Sequence, residues 1–121
     1  ADLKVWNPEK SDVPDSERPL LTAKNPGFGK DKWTHIVFTW GGFNSGSKKA
    51  IATLYIDGKH NDTLTGWNQQ FTWSDSETSR LLLGLHYVGF LDEFSVFDRA
   101  LTPDEVKSIY ERDGGVGALL K

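Results

Sequence analysis

Carboxylates are the first residues in this chain whose type and spacing could do chemistry. Asp92 and Glu93 adjoin in Leu91-Asp92-Glu93-Phe94-Ser95-Val96-Phe97-Asp98, with Asp98 six positions beyond the first. A glycosidase needs two carboxyls flanking one bond, about 5 to 10 Å apart. Neighbours on a strand point to opposite faces, so Asp92 and Glu93 cannot act on one sugar. Asp92 and Asp98 share a parity, but roughly 20 Å of extended chain separates them. Hydrolysis through this segment is not expected. The 3 histidines, His35, His60 and His86, have no HExxH spacing and no Cys beside them, so a zinc site would need distant residues to converge. Gly46-Ser47-Lys48 is no nucleophile elbow. The pairs Gly41-Gly42 and Gly114-Gly115 read as turns and a helix stop, since neither follows a strand and opens a helix.

Binding chemistry is better represented. Trp67-Asn68-Gln69-Gln70-Phe71-Thr72-Trp73 combines flat apolar rings with amide donors and acceptors, the mixture that stacks and hydrogen-bonds a pyranose. Trp67, Asn68, Gln70 and Trp73 are therefore candidate ligand contacts. The alternative is that the tryptophans tuck under a sheet edge. Trp33, Phe38, Trp40 and Phe94 fall in apolar strand patterns and read as packing, while Trp6 is ambiguous. Asn61-Asp62-Thr63 fits a glycosylation sequon, relevant only to a eukaryotic secreted protein.

The elements that must position these residues are strands in series with one late helix. Leu3 to Trp6 reads as a short strand ended by Asn7-Pro8, and Glu9 to Pro19 as an exposed loop. Leu20 to Ala23 is a further strand, and Asn25 to Gly29 a turn. From Trp33 to Trp40 both parities are largely apolar, which predicts a strand covered on both sides. Ala50–Ile56 and Lys59–Leu64 form a hairpin about Asp57-Gly58. Trp67 to Thr78 reads as a loop or edge strand. Ser79–Leu85 and Phe90–Phe97 are expected to be the last core strands. The helix start is heavily signalled: Pro103 at the first position, a Thr102/Glu105 capping box, and a Leu101/Val106 staple. The helix should run to about Arg112, stopped by Gly114-Gly115.

Three of these segments, in this order, resemble the laminin-G-like jelly rolls of the concanavalin A-like lectin/glucanase superfamily. They are Trp33-Thr34-His35 with its strand, Leu54-Tyr55-Ile56-Asp57-Gly58, and the run from Gly89 through Asp92-Glu93 and Arg99-Ala100-Leu101 to Pro103 and Glu105. The resemblance implies an all-β fold, an antiparallel β-sandwich (concanavalin A-like jelly roll) with one short C-terminal helix. It also implies that His86 and Tyr87, in the tight connection before the last strand, present ligand contacts, though a polar hairpin tip is the plainer reading. Relatives of this fold hold calcium at a sheet edge, which makes Asp92 a candidate calcium ligand beside its plainer role as a turn carboxylate. A calcium ion asks for six to eight oxygens. The place matching a pentraxin-like acidic loop holds Gly84-Leu85-His86-Tyr87-Val88, which brings no carboxylate.

Composition bounds the rest. The 121 residues make at most one domain, able to bury about two-thirds of its unfolded surface. With 14 Lys and Arg against 17 Asp and Glu the formal charge is −3, which argues against a phosphate-tracking nucleic-acid binder. No apolar run of about 18 residues suggests membrane insertion. Cysteine is absent, removing disulfides and thiol chemistry. Laminin-G-like domains have several strands before the Trp-x-His segment, so residues 1–121 read as one jelly-roll domain incomplete on its N-terminal side, joined to other domains or strands of a parent protein. The expected function is a non-catalytic module for carbohydrate recognition or adhesion, extracellular or at a cell surface (periplasmic in a bacterium), with no cofactor beyond that calcium. Its alternative is a structural or protein–protein interaction domain. A third reading, a fragment of a polysaccharide-degrading jelly-roll enzyme, would need carboxylates from other strands.

Overall fold

A computed structural model describes residues 3–6, 20–70, 83–84 and 87–120. Among the described residues five strands run β1 (Leu3–Trp6), β2 (Leu20–Ala23), β3 (Ile36–Gly41), β4 (Ala50–Ile56) and β5 (Lys59–Trp67), followed by α1 (Pro103–Glu111) and a 3₁₀ turn (Val116–Leu120). β1 and β2 pair antiparallel, with Leu3 opposite Ala23 and Trp6 opposite Leu20. β3, β4 and β5 form a second antiparallel sheet with β4 in the middle. The architecture is the expected antiparallel sandwich with a short C-terminal helix.

The period-2 alternation of β4 sends its side chains into two cores. Ala52 and Leu54 pack with Leu21 and Ala23 of β2, and Phe38, Ile56, Leu64 and Trp67 close around them. On the opposite face Tyr55 meets Leu101, Val106 and Ile109, flanked by Val37 and Val116. The three-stranded sheet is thus filled between a β layer and a helix. Leu54 and Val106, both fully buried, contribute roughly 1.5 to 3 kcal/mol each through apolar burial.

Two local devices fix the helix and hairpin. Thr102 Oγ1 accepts from the N–H of Glu105 at 3.3 Å, while the Thr102 N–H donates to Glu105 Oε2 at 2.8 Å. The expected capping box is formed, and Leu101 and Val106 are both buried in one core. Arg99 adds a fork on the Glu105 carboxylate at 2.8 and 2.6 Å, and that pairing holds the carboxyl down at about 2. At the hairpin, Asp57 and Gly58 take φ of +50° and +72°, the left-handed pair of a type I′ turn. A Cβ on Gly58 would stand 2.8 Å from Cδ1 of Tyr110, so the glycine also lets α1 lie against the turn.

Four expectations need correction. The strand expected from Trp33 begins at Ile36 and, among the described residues, is an outer strand of its sheet; Val37 and Phe38 reach the two opposite cores, but Ile36 and Trp40 stay exposed, so it is only partly covered. The doubly covered strand is β4. Trp40 (45%), Trp33 (68%) and Phe94 (62%) are exposed rather than packed, whereas Phe38 does join the core. Residues 90–97 form no strand: Glu93 has φ +52°, which breaks an extended run, and no ladder partner lies among the described residues. β5 runs past Leu64 to Trp67, because a bulge carries the pairing around Gly66. The expected strand Ser79–Leu85 lies largely outside the described residues.

Candidate ligand-contact corner

The end of β5 decides where Trp67 points. In an unbroken strand Trp67 would share a face with Thr65, away from Leu64. The register instead sets Ile51 opposite Thr65 and Ala50 opposite Trp67, leaving Gly66 as an extra residue at φ +86°. A left-handed glycine at the extra position is a bulge that re-aims the next side chain. Trp67 accordingly packs with Leu64 against the β2 layer.

From this anchor a network of amides is built. The Trp67 indole N–H donates to Oε1 of Gln69 at 3.1 Å, and Gln69 is buried at 5% exposure. Gln69 O accepts from the N–H of Asn44 at 2.8 Å, tying the corner to the loop after β3. Gln69 Nε2 donates to Gln70 O at 3.4 Å, and Gln70 Nε2 donates to Asn68 Oδ1 at 2.8 Å. Phe43 meets the Trp67 ring edge-on at 6.0 Å between centroids. Asn68 and Gln70 are both exposed. Among the described residues no partner occupies Asn68 Nδ2 or Gln70 Oε1, which presents solvent with an amide donor beside an amide acceptor.

Of the residues singled out from sequence, Trp67, Asn68 and Gln70 are brought together here. Trp67 is half-buried with its N–H committed, so it forms the wall of the corner rather than an open platform. Trp73 and His86 lie outside the described residues. Tyr87 belongs to a second aromatic cluster, edge-on to Phe28 at 5.7 Å, beside a shallow depression of about 300 Å³ lined by Asn25, Pro26, Gly27 and Phe28. Sequence reasoning did not find Phe43, Asn44, Gln69 or Phe28. Gly42 and Gly66 both take left-handed φ at this end, but neither residue type names the contact between the two loops.

Asp92 is exposed and accepts from its neighbour's N–H, Glu93 to Asp92 Oδ1, at 2.8 Å. The Glu93 carboxylate lies against Gly115 and Gly117 instead, where a side chain on Gly115 would collide with it. Among the described residues no three His, Cys, Asp or Glu gather as a metal site. One carboxylate engaged by its own turn does not fit a calcium ion's need for six or more oxygens.

One further cluster has unusual electrostatics. The His35 N–H donates to Asp57 Oδ1 at 3.0 Å, and the Asp57 N–H donates to His35 O at 2.8 Å, stitching the start of β3 to the hairpin turn. Lys32 Nζ stands 3.8 Å from Asp57 Oδ2. The imidazole lies 5.8 Å from the Tyr110 ring, and its buried Nδ1 has no hydrogen-bond partner among the described residues. Burial lowers the His35 pKa from its ordinary value, outweighing the attraction of Asp57. This arrangement is structural: it closes the seam between sheet and helix.

Against known proteins, the profile of the concanavalin A-like lectin/glucanases superfamily, in its laminin-G-like branch, matches residues 13–107. Human adhesion G-protein coupled receptor D1 is 28% identical over 95 residues, covering 73% of this chain and 10% of the receptor. The crystal structure of an S-layer domain-containing protein from Clostridium thermocellum superposes with a TM-score of 0.54 at 25% identity. That match covers 78% of this chain and 46% of the other. The chain therefore spans a tenth of the receptor and under half of the solved fragment. Among the described residues no helix is long and apolar enough to cross a membrane.

Proposed function

Because this chain belongs to the laminin-G-like branch of the concanavalin A-like lectin/glucanases superfamily, we propose that it is a non-catalytic extracellular binding and adhesion module that engages carbohydrate at the Trp67–Gln70 corner. The observation that carries this reading is the exposed Asn68–Gln70 amide pair, bonded to each other and backed by the buried Gln69, the half-buried Trp67 and the Asn44 backbone. A preorganised donor and acceptor beside an aromatic wall match adjacent hydroxyls and an apolar face of a sugar ring. The surface setting is supported by relatives named as an adhesion receptor and an S-layer domain-containing protein. Other domains or strands of a parent protein would then supply its context.

The test is binding of the folded chain to a broad glycan and polysaccharide panel, with calcium and with chelator, beside the double variant Asn68→Ala/Gln70→Ala. Both residues are exposed, so the fold should survive their truncation. We expect binding that the double variant weakens at least tenfold and that chelator leaves unchanged. No binding by the folded chain, or equal binding by the variant, overturns the reading. A protein partner in place of sugar is favoured by one observation, the exposed Trp33, Ile36 and Trp40 in and beside the outer strand β3.

A further inference from the structure

We propose that Asn61 is an attachment site for an N-linked oligosaccharide, carried on the β4–β5 hairpin where a glycan displaces no native contact and leaves the Trp67–Gln70 corner open. The inference rests on the extracellular setting proposed above, reached through a eukaryotic secretory route, and not on carbohydrate binding. Of the asparagines at 7, 25, 44, 61 and 68, Asn61 alone is followed two positions later by a hydroxyl residue, Thr63, with no proline between.

The hairpin adds what a three-residue motif lacks. Residues 20–70 are described without a break, so Asn61 is seen together with its turn and the strand it pairs with. Leu54 stands opposite Asp62 and Tyr55 opposite His60, which leaves Asn61 as an extra residue with no counterpart on β4. A bulge takes its residue out of the ladder and bends the strand, giving Asn61 the room of a loop three residues beyond Gly58. The side chains around it are already engaged. His60 Nε2 bonds Thr63 Oγ1 at 2.8 Å, Thr63 Oγ1 donates to Thr53 Oγ1 at 3.2 Å, and Asp62 Oδ1 accepts from the Thr63 N–H at 2.8 Å. Asn61 is exposed, and among the described residues nothing holds its side-chain amide. A bulky hydrophilic group must lie in solvent, and here it can do so without breaking a hydrogen bond. Asn61 and Trp67 stand six residues apart on β5, roughly 20 Å, so the glycan and the ligand corner occupy different ends of the strand.

In the transfer, Asn61 Nδ2 forms a bond to the anomeric carbon of an oligosaccharide carried on a polyprenyl diphosphate. The bond from that carbon to the diphosphate oxygen breaks, the diphosphate leaves with the electron pair, and one amide proton passes to a base of the transferase. This chain supplies the acceptor and none of the catalysis.

The experiment is the intact mass of the chain secreted from a eukaryotic cell behind a cleavable signal segment, before and after digestion with peptide N-glycosidase. We expect a mass above the 13.6 kDa of the polypeptide, lost on digestion, with the aspartate that the digestion leaves located to position 61 by peptide mapping. Asn61→Gln should be secreted unmodified with an unchanged circular dichroism spectrum, since the side chain is exposed. Thr63→Ser keeps the hydroxyl and should keep the glycan, whereas Thr63→Val should lose it. A folded, secreted chain without the added mass overturns the proposal, and so does a glycan that survives Asn61→Gln. Occupancy is read by mass and carbohydrate binding by the glycan panel, so either reading can fail while the other stands.

Discussion

Leu54→Ala puts the sandwich architecture to a quantitative test. Leu54 is fully buried at the middle of the central strand, packed against Leu21 and Ala23 of β2 and Ala52 of its own strand. The substitution deletes three carbons, worth about 2.4 kcal/mol at roughly 0.8 kcal/mol each. Two of its three buried cluster partners, Ala23 and Ala52, are alanines, which cannot reach into the void, so a cavity term of about 1 to 2 kcal/mol should add. The expected loss is about 4 kcal/mol. Ile51 of the same strand is 44% exposed, and Ile51→Ala should cost only about 1 kcal/mol. Urea unfolding followed by tryptophan fluorescence reads both. With a slope of about 2 kcal/mol per molar, Leu54→Ala should move the midpoint down by about 2 M and Ile51→Ala by about 0.5 M, at unchanged slope. Equal shifts, or a Leu54 loss below about 1.5 kcal/mol, would refute the packing of the β1–β2 layer on this face.

Other expectations follow from single features. Gly66→Ala meets no steric neighbour, yet at φ +86° it should cost about 1 to 2 kcal/mol and blue- or red-shift the Trp67 emission as the bulge relaxes, measured by denaturation and fluorescence. Thr102→Ala removes the cap and should cost about 1 kcal/mol by thermal unfolding, with the fold retained. His35 binds a proton less readily in the native state than in the unfolded chain, so stability should fall as pH drops below its ordinary value of 6.5 and level off below its native value. His35→Gln should flatten that slope in urea midpoints taken between pH 8 and 5. Glu105 has linkage of the same sign in a lower window: its contribution is complete above the ordinary value of 4.5 and disappears as pH falls toward about 2. Arg99→Ala should remove most of this low-pH dependence.

Where a structural signal is local, the residues announce it. Asp57-Gly58 demands a left-handed turn, and Thr102, Pro103 and Glu105 satisfy the open end of a helix among themselves, so both elements fall where expected. Strand placement is different, because coverage depends on which strands become neighbours. The apolar run from Ile36 to Trp40 resembles a central strand by composition, yet pairing leaves it outermost, and Ala50–Ile56 takes the doubly buried place. Alternation in 90–97 reports a tendency toward strand that only a partner could realise. The corner shows the same division. Trp67, Asn68 and Gln70 suggested a sugar contact by type, but the turn of Trp67 into the core needs the bulge at Gly66, and the support from Phe43 and Asn44 is tertiary.

The central claim is a place, and amide chemical-shift mapping of the labelled chain against the tightest-binding glycan locates it. Our reading predicts shifts confined to the Asn44 backbone, the Trp67 indole N–H and the side-chain amides of Asn68, Gln69 and Gln70. Shifts centred on Trp33, Ile36 and Trp40, on Phe28 and Tyr87, or spread over 88–97 would contradict it.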